Sequence, residues 1–468
     1  MWKFIKNIMK VSMSNFMSLL SGVLVGFIVP KMLGLEGYAN FKIYTLYLTY
    51  IALLSLGLGD GLYLKFSGTN KEDLDKGTIS YYLKIYYVQI VLFTVIALFW
   101  SCFGVPKEYR FILVALSLTI FSSQITAVYQ NLSLITSSFN EYSIRVIVKS
   151  VLTSLFVILL FLVSRITGKI ISYKIYISGV VLIDYILACW YFYTYREFIF
   201  VKSKNIAKMV GKYTVILKVG FPLLLSNMAG SIFLNLDRQF VSLLFDKNAY
   251  AIYAFAYNLL TLITTMTSAV SLVLFPSLRR KKDLNIARSL ELYLGPFNMM
   301  VAFFLIVYYP LSWFVPYFLP DYKLSLEIFR VVLPGLVISS SVSVILINFY
   351  KLENQIKLYF IVTLLSMLIS IIANYVAYSI FNTYLSISWA SIFTLFVWYL
   401  LTLSYFWRKY RINFVKTTIY MILMCILFYC ITYEMGCSLI GGISFLGGYI
   451  ILSFIFMKKN IRELLSDR

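Results

Sequence analysis

The sequence predicts an all-α integral membrane protein with fourteen transmembrane helices, arranged as two six-helix lobes related by a pseudo-two-fold axis along the membrane normal plus two C-terminal helices. Three observations predict this class. Hydrophobic residues make up 61% of the chain and charged residues only 13%, which is more apolar surface than a water-soluble domain can bury. Charged residues cluster at intervals, and the stretches between clusters are long enough to cross a bilayer. Corresponding residues also recur in the two halves of the chain.

A membrane-spanning helix needs about 20 mostly apolar residues, and the chain supplies fourteen such runs. Six precede a basic segment near the middle, at 13–33, 41–64, 78–103, 110–137, 145–166 and 171–196. Eight follow it, at 214–243, 249–277, 289–318, 324–350, 357–381, 384–407, 414–434 and 438–457. The runs predict an N-terminal lobe over 1–198, a basic cytoplasmic linker over 199–213, a C-terminal lobe over 214–410, and spans 13 and 14 with a cytoplasmic tail over 411–468.

The distribution of Lys and Arg predicts the orientation of the chain. With the N-terminus placed inside, twenty-nine of the 41 cations fall at inner ends of spans and nine at outer ends. Because cytoplasmic ends carry the excess of Lys and Arg, both termini are predicted to be cytoplasmic. A net charge of +22 would indicate nucleic acid in a soluble protein. Here the cations lie beside helix ends, where anionic lipid attracts them, so no nucleic-acid partner is predicted.

The sequence carries no pattern typical of catalysis or metal binding. Histidine does not occur, so the commonest metal ligand and neutral general base is missing. The five cysteines lack CxxC spacing and are interpreted as packing residues. No hydrophilic stretch is long enough to fold as an ATPase or glycosyltransferase domain. The sequence therefore predicts a transporter rather than an enzyme, with no cofactor and no metal.

A shift of 212 residues aligns the two halves of the chain. It places Ser14 and Asn15 on Ser226 and Asn227, and it equates span 1 with span 7 and span 2 with span 8. Six spans per half keep both copies in one orientation, which requires an axis along the membrane normal. Chance recurrence of small and polar residues in membrane helices is the alternative explanation.

Three stretches of the chain resemble a known family. The run PKMLGLEGY at Pro30–Tyr38, followed by GLGDG at Gly57–Gly61, resembles the opening of polysaccharide flippases of the multidrug/oligosaccharidyl-lipid/polysaccharide exporter superfamily. Asn235–Ala256 resembles the seventh-to-eighth span region of that family, and Phe275–Leu278 resembles its exit from span 8. The family's arginine just before the LG pair is replaced here by Lys31.

This resemblance implies a fold of two six-helix lobes around a central cavity, in the cytoplasmic (inner) membrane of a bacterium. It implies translocation of an undecaprenyl-diphosphate-linked oligosaccharide repeat unit from the inner to the outer leaflet by alternating access, for O-antigen or capsule synthesis. The expected partners are the lipid-linked oligosaccharide, membrane lipids and a polysaccharide polymerase. The protein is expected to be a monomer.

Span 7 carries a polar stripe that is predicted to bind substrate. The stripe consists of Asn227, Ser231, Asn235 and Arg238, which lie within about 80° of one helical face. A charge near mid-membrane costs at least about 2.5–3.5 kcal/mol on insertion scales, so Arg238 needs an anionic partner or a wet cavity. A lipid diphosphate would supply that partner, because the guanidinium fork suits phosphate. Pairing with neighbouring Asp237, or snorkelling to the end of the span, is the alternative.

Span 1 offers a matching polar face. Ser14, Ser18 and Ser21 share one side of the helix, with Asn15 beside them. Ser14, Asn15 and Ser18 are therefore predicted to contact substrate as well. Close helix packing through small residues is the alternative.

Three carboxylates are predicted to take part in ion coupling. Asp184 lies near the middle of span 6 with no cation within a helical turn along the chain, so it could bind a proton or sodium ion, or accept hydrogen bonds from tyrosines. Asp60, near the cytoplasmic end of span 2, and Asp237 are the other candidates, and Asp60 could instead cap a helix. The secondary candidates are Lys84, Lys149 and Arg330, each of which fits snorkelling at a helix end better than ligand binding.

The sequence leaves three other classes of function to consider, of which a structural membrane scaffold would not need a polar stripe at mid-span. A drug/cation antiporter of the same superfamily would share the topology but would favour carboxylates in its cavity. A membrane-embedded polysaccharide polymerase would normally need a large outer loop with Arg or His, and the outer connections here are short.

Overall fold

The computed structural model describes residues 2–66, 69, 71–136, 138–201, 206–279 and 285–466. Within these ranges the α-helices, numbered α1 to α17 in chain order, are Trp2–Leu48, Leu58–Phe66, Lys76–Phe103, Lys107–Ile135, Phe139–Thr167, Tyr173–Thr194, Ile206–Leu244, Lys247–Arg279, Ile286–Phe303, Tyr308–Phe318, Ser325–Val332, Gly335–Ser340, Ile347–Leu352, Ile356–Phe381, Tyr384–Tyr410, Val415–Glu434 and Leu439–Ser466. Short 3₁₀ segments occupy Thr49–Ser55, Arg196–Phe198, Phe304–Val307 and Pro320–Tyr322, and a π-helix occupies Ser341–Leu346.

Twelve helical segments among the described residues are long and apolar enough to cross a membrane. One of them, Met13–Ser55, has 43 residues, or about 65 Å of helix, which is twice the thickness of the hydrocarbon core. It therefore contains two spans. Helix α8, with 33 residues, is long enough for one more. The all-helical membrane class is confirmed, and the predicted number of fourteen spans is approximately consistent with these segments.

A single glycine divides the first long helix. Gly34 has φ 66° and ψ 179°, so α1 bends there instead of forming the loop predicted between 33 and 41. Ile171 donates its backbone N–H to the carbonyl of Met32 over 2.9 Å, and the side chain of Ile170 lies 3.6 Å from where a Cβ on Gly34 would stand. The segment after α5 thus covers the bend.

The second predicted span, 41–64, is not one continuous helix. The chain passes from α1 into a 3₁₀ segment, and Leu56 and Gly57 then take positive φ values of 49° and 83° before α2 begins. Backbone contact with α7 explains the break. A Cβ on Gly57 would lie 2.5 Å from the backbone nitrogen of Phe221, and one on Gly220 would lie 2.0 Å from the carbonyl oxygen of Gly57. Two backbones approach this closely only through glycine.

The predicted span at 324–350 is also interrupted. It consists of α11, α12, a π-helix and α13 in succession, and Pro334 lies at the first junction. Ser341, the first residue of the π-helix, donates its hydroxyl to Val337 O and Asn298 Oδ1 over 2.6 Å each. Hydrogen-bonded side chains of this kind satisfy polar groups where helices change pitch.

The chain divides into two compact units, Met1–Ile232 and Phe233–Arg468. In the first unit α1 packs along α5, and α4 packs against α3 and α6. In the second, α14 packs along α15, α16 along α17, and α8 against α11. The division falls inside α7. Residues 202–205 of the predicted linker lie outside the described residues. The predicted four-part organisation stays a prediction.

Glu197 forms ion pairs with two lysines of the first unit. Its Oε2 accepts from Lys76 Nζ at 2.8 Å, and its Oε1 lies 3.3 Å from Lys71 Nζ. The hydrogen bond from Lys76 is the main reason that the pKa of Glu197 lies below its ordinary value of 4.5, and Lys71 adds to the shift. These contacts tie the start of α3 to the residues after α6.

We expect Glu197→Gln to lower the free energy of unfolding of the purified protein at pH 7 by at most about 1 kcal/mol, as is typical of exposed ion pairs. The melting temperature should fall accordingly. Because the folded pKa is depressed, this contribution is present above the unfolded pKa and is lost as the pH falls through the folded value. Melting temperatures of wild type and variant, measured from pH 7 down to pH 3.5, should therefore converge at the acid end. The control is Glu434→Gln, at the exposed end of α16. If the melting temperatures of wild type and Glu197→Gln differ by the same amount at every pH, the ion pairs of Glu197 do not stabilise the protein.

Candidate functional site

The N-terminal unit contains a polar cavity of about 250 Å³ between α1, α4, α5 and α6. Its polar lining consists of Ser18 and Ser21 from α1, Thr126 and Gln130 from α4, Arg145, Lys149, Ser150 and Thr153 from α5, and Tyr191 from α6. Two of the lining residues are cations and none is a carboxylate. The cavity is therefore suited to an anionic group rather than a cationic one.

The predicted polar face of span 1 divides between packing and the cavity. Ser14 is buried, and Asn15 is half-buried. Ser18 is exposed on the cavity wall. Ser21 is buried, donates to Ser150 O over 3.1 Å and accepts from Ser154 over 3.0 Å, so it joins α1 to α5. Ser18 is the member of this face that the structure places best for contact with a ligand.

Arg145 is the most deeply buried cation that lines the cavity, with 4% of its surface exposed. Its Nη1 donates to Glu141 O over 2.9 Å, and its Nη2 donates to Thr194 Oγ1 over 2.5 Å. The guanidinium also lies over the rings of Trp190 and Tyr191, with its carbon 4.9 and 4.2 Å from the ring centroids. Nε is buried and has no hydrogen-bond partner among the described residues. These two hydrogen bonds hold the guanidinium in place and leave others of its five N–H donors, Nε–H among them, for a ligand.

In the sequence alone, Arg145 is one of the cations at the inner end of a span and has no other distinguishing feature. In the structure it lies six residues into α5, about 9 Å along the axis, and Lys149 follows one turn later on the same face. The four-residue spacing of two cations at the start of an apolar run is the signal that could have identified the pair.

Lys149 forms an ion pair with Asp184 of α6, with Nζ 2.7 Å from Oδ1. The lysine side chain is half exposed, whereas the aspartate side chain is only 13% exposed. The cation that the sequence did not show within a turn of Asp184 is therefore supplied by the neighbouring helix. Asp184 remains a predicted coupling residue, with a charged partner in the described state.

Asp60 lies in the first turn of α2 and is half-buried. A carboxylate at this position is stabilised by the positive end of the helix dipole. It stands between Gly59 and Gly61, within the stretch that contacts α7. The position agrees with helix capping, and an ion-coupling role for Asp60 stays a prediction.

The polar stripe of α7 falls into two parts. Asn227 and Ser231 are exposed and lie in the first unit, where Ser231 donates to Asn227 O over 3.4 Å. Asn235 and Arg238 are half-buried and lie in the second unit. Substrate contact by these four residues stays a prediction.

Arg238 and Asp237 belong to one cluster in the second unit. Arg238 Nε lies 3.8 Å from Asp237 Oδ1, Nη2 donates to Leu234 O over 2.5 Å, and the guanidinium carbon lies 4.5 Å from the ring centroid of Tyr257. Asp237 is buried and accepts hydrogen bonds from the hydroxyls of Tyr253, over 2.9 Å, and Tyr257. The anionic partner that Arg238 requires inside a membrane is therefore present within the protein.

Comparison with known proteins places these features in a family and a fold. The family described as polysaccharide biosynthesis protein matches residues 4–281. No curated protein matches the chain. A structure of the lipid II flippase MurJ in an inward closed conformation superposes with a TM-score of 0.70 at 18% identity, over 98% of this chain and 100% of that one. An inward-facing multidrug resistance MATE transporter of the MOP superfamily (TM-score 0.59, 15% identity, 86% and 96% covered) and a MOP superfamily transporter from Pyrococcus furiosus (0.59, 14%, 88% and 96%) share the same fold.

Proposed function

Because the chain belongs to the family of polysaccharide biosynthesis proteins, we propose that it is a flippase for an undecaprenyl-diphosphate-linked oligosaccharide repeat unit. It moves the repeat unit from the inner to the outer leaflet of the cytoplasmic membrane by alternating access, for synthesis of a surface polysaccharide such as O-antigen or capsule. Both termini are cytoplasmic in this proposal, the protein acts as a monomer, and a polysaccharide polymerase uses the product.

The observation that carries the proposal is the charge of the cavity in the first unit. Its lining includes Arg145 and Lys149 and no carboxylate, in a chain where intramembrane charge is costly. The lining offers a cationic drug no carboxylate. A diphosphate would instead meet two cations, and the hydroxyls and amide along the walls suit sugar or phosphate oxygens. This distribution favours an anionic lipid-linked substrate over the drug/cation antiporter that shares the fold.

The membrane potential can drive this movement without ATP. Each negative charge that moves outward across an inside-negative potential gains about 2.3 kcal/mol per 100 mV. A diphosphate carries more than one such charge unless fixed cations neutralise it. The prenyl tail remains in lipid throughout, so only the polar head crosses the protein.

The residues of α7 and the intramembrane carboxylates complete the proposal. Arg238, with Asn235 beside it on the stripe, provides a cation for the head group in the second unit. Asp184 provides a carboxylate for ion coupling, because its side chain is largely buried within a span and is paired with a cation that a substrate could remove.

Reconstituted vesicles test this function directly. The purified protein is incorporated into liposomes with undecaprenyl-diphosphate-linked oligosaccharide extracted from the producing cells, and exposure of the sugar on the opposite leaflet is followed with an impermeant glycosidase. We expect exposure to depend on the protein and to accelerate when a potential favours movement of negative charge in that direction. A parallel set of vesicles loaded with a cationic dye should show no protein-dependent efflux. Dye efflux without sugar exposure would establish the antiporter function instead.

A further inference from the structure

The two cations of the cavity differ in how firmly they are held. Arg145 is fixed by two hydrogen bonds, two aromatic rings and the carboxylate of Glu141, whose Oε2 lies 4.0 Å from Nη1. Its buried Nε still lacks a hydrogen-bond partner among the described residues. Lys149, one turn further along α5, forms an ion pair with Asp184, and its side chain is half exposed. A rigid cation and a movable one therefore line the same wall.

A phosphate group can use both cations. A guanidinium provides donors in a fixed fork, and an ammonium acts as a compact point charge that adjusts its position. Ser18, Thr126 and Gln130 add neutral donors around the cavity. The volume of about 250 Å³ lies below the range of about 300–1,000 Å³ typical of drug-sized ligands, so the site accommodates a phosphate or diphosphate but not several sugar rings.

Resting on the proposed function, we propose that this cavity binds the diphosphate group of the lipid-linked substrate, with Arg145 as the fixed ligand and Lys149 as a ligand that the diphosphate removes from Asp184. In the empty protein Asp184 neutralises Lys149. When the more highly charged diphosphate enters, Lys149 turns to it and Asp184 loses its cation. Substrate binding thereby creates an unpaired carboxylate within the membrane.

This exchange predicts opposite effects for the two partners of one ion pair. Asp184→Asn frees Lys149 and should tighten diphosphate binding about ten-fold, whereas Lys149→Gln should weaken it at least about ten-fold, the size expected for loss of a hydrogen bond to a charged group. Arg145→Lys keeps the charge but loses the fork and should weaken binding to a similar extent. If the ion pair serves only to hold α5 against α6, both changes at the pair should lower stability and neither should tighten binding.

Binding is measured on the full-length protein in a neutral detergent, by titration with farnesyl diphosphate and with inorganic diphosphate, while the thermal stability of each variant is recorded. Lys174→Gln, an exposed cation on α6 outside the cavity, is the charge-matched control and should bind as wild type does. Farnesyl diphosphate binding more tightly than the inorganic ion identifies a lipid headgroup as the ligand, whereas equal binding identifies free diphosphate and overturns the lipid assignment.

Unchanged affinity in Lys149→Gln and Arg145→Lys, or weaker binding in Asp184→Asn, would overturn the site. The vesicle assay keeps this result separate from the proposed function. Translocation by the wild type together with unaltered binding in the variants would reject the site and retain the flippase. Diphosphate binding through these residues without any translocation would reject the flippase and retain the site.

Discussion

Gly220→Ala is expected to lower the amount of folded protein in the membrane several-fold, because quality control removes destabilised chains. The added Cβ would lie 2.0 Å from Gly57 O, 2.5 Å from Gly61 N and 2.9 Å from Gly61 Cα, and all three are main-chain atoms that cannot rotate away. The clash is relieved only if α2 and α7 move apart. We expect this movement to lower the free energy of unfolding by about 3 kcal/mol, as at other overpacked sites. That is a large share of the about 5–15 kcal/mol by which folded proteins are stable.

Protein level after membrane extraction and the melting temperature in detergent both report this effect. Gly211→Ala is the matched control on the same helix, because a Cβ there has open space within 4 Å. The control should be neutral or slightly stabilising, since alanine favours helix over glycine by about 0.5–1 kcal/mol. If Gly220→Ala accumulates to the same protein level as wild type, the backbones of α2 and α7 are not in contact at this position.

Arg238→Gln is expected to abolish translocation of the lipid-linked sugar while the protein still inserts and folds. Asp237 keeps its hydrogen bonds from Tyr253 and Tyr257 when the guanidinium is removed, and these limit the stability cost of leaving its buried carboxylate without a cation. The loss of transport follows from the proposed role of Arg238 as a cation for the head group. Sugar exposure per folded molecule in the vesicle assay is the measurement. Normal exposure would restrict Arg238 to a structural role.

Asp237→Ala serves as the contrasting change in the same cluster. It leaves two tyrosine hydroxyls and the guanidinium without their shared acceptor, and breaking a buried pair in this way costs about 3–5 kcal/mol. We therefore expect Asp237→Ala to lower the amount of folded protein, and Arg238→Leu added to it to restore part of that amount. If Asp237→Ala instead accumulates normally but fails to transport, Asp237 would take part in coupling, as its position in the sequence also suggested.

Much of the fold could be predicted because the fixed thickness of the bilayer sets the length and the hydropathy of each membrane-spanning segment. The ends of α3 and α14, for example, lie within two residues of the predicted ones. The break at Leu56–Gly57 could not be predicted, because its cause is the backbone of α7, more than 150 positions away in the chain. The interruption of the span at 324–350 likewise depends on a contact with Asn298 of another helix.

The candidate site was only partly predictable for the same reason. Patterns along one helix name Ser18 and Arg238 as candidates, whose contact with substrate stays a prediction. They also indicate that Arg238 needs an anionic partner, and Asp237 lies beside it. The ion pair of Asp184 joins two helices, and periodicity within either one carries no information about it. Arg145 was overlooked because a cation near a helix end is usually solvated, and only its burial distinguishes it from the others.

The bend at Gly34 has a practical consequence for work on the intact membrane. Because one residue replaces a connecting loop, and Ile170 and Ile171 lie over it, this corner offers a protease no extended strand to cleave and an antibody little to recognise. An epitope tag inserted there would have to displace the covering segment. Gly168, also at positive φ but with open space where its Cβ would stand, is the better position for a tag on the same side of the first unit.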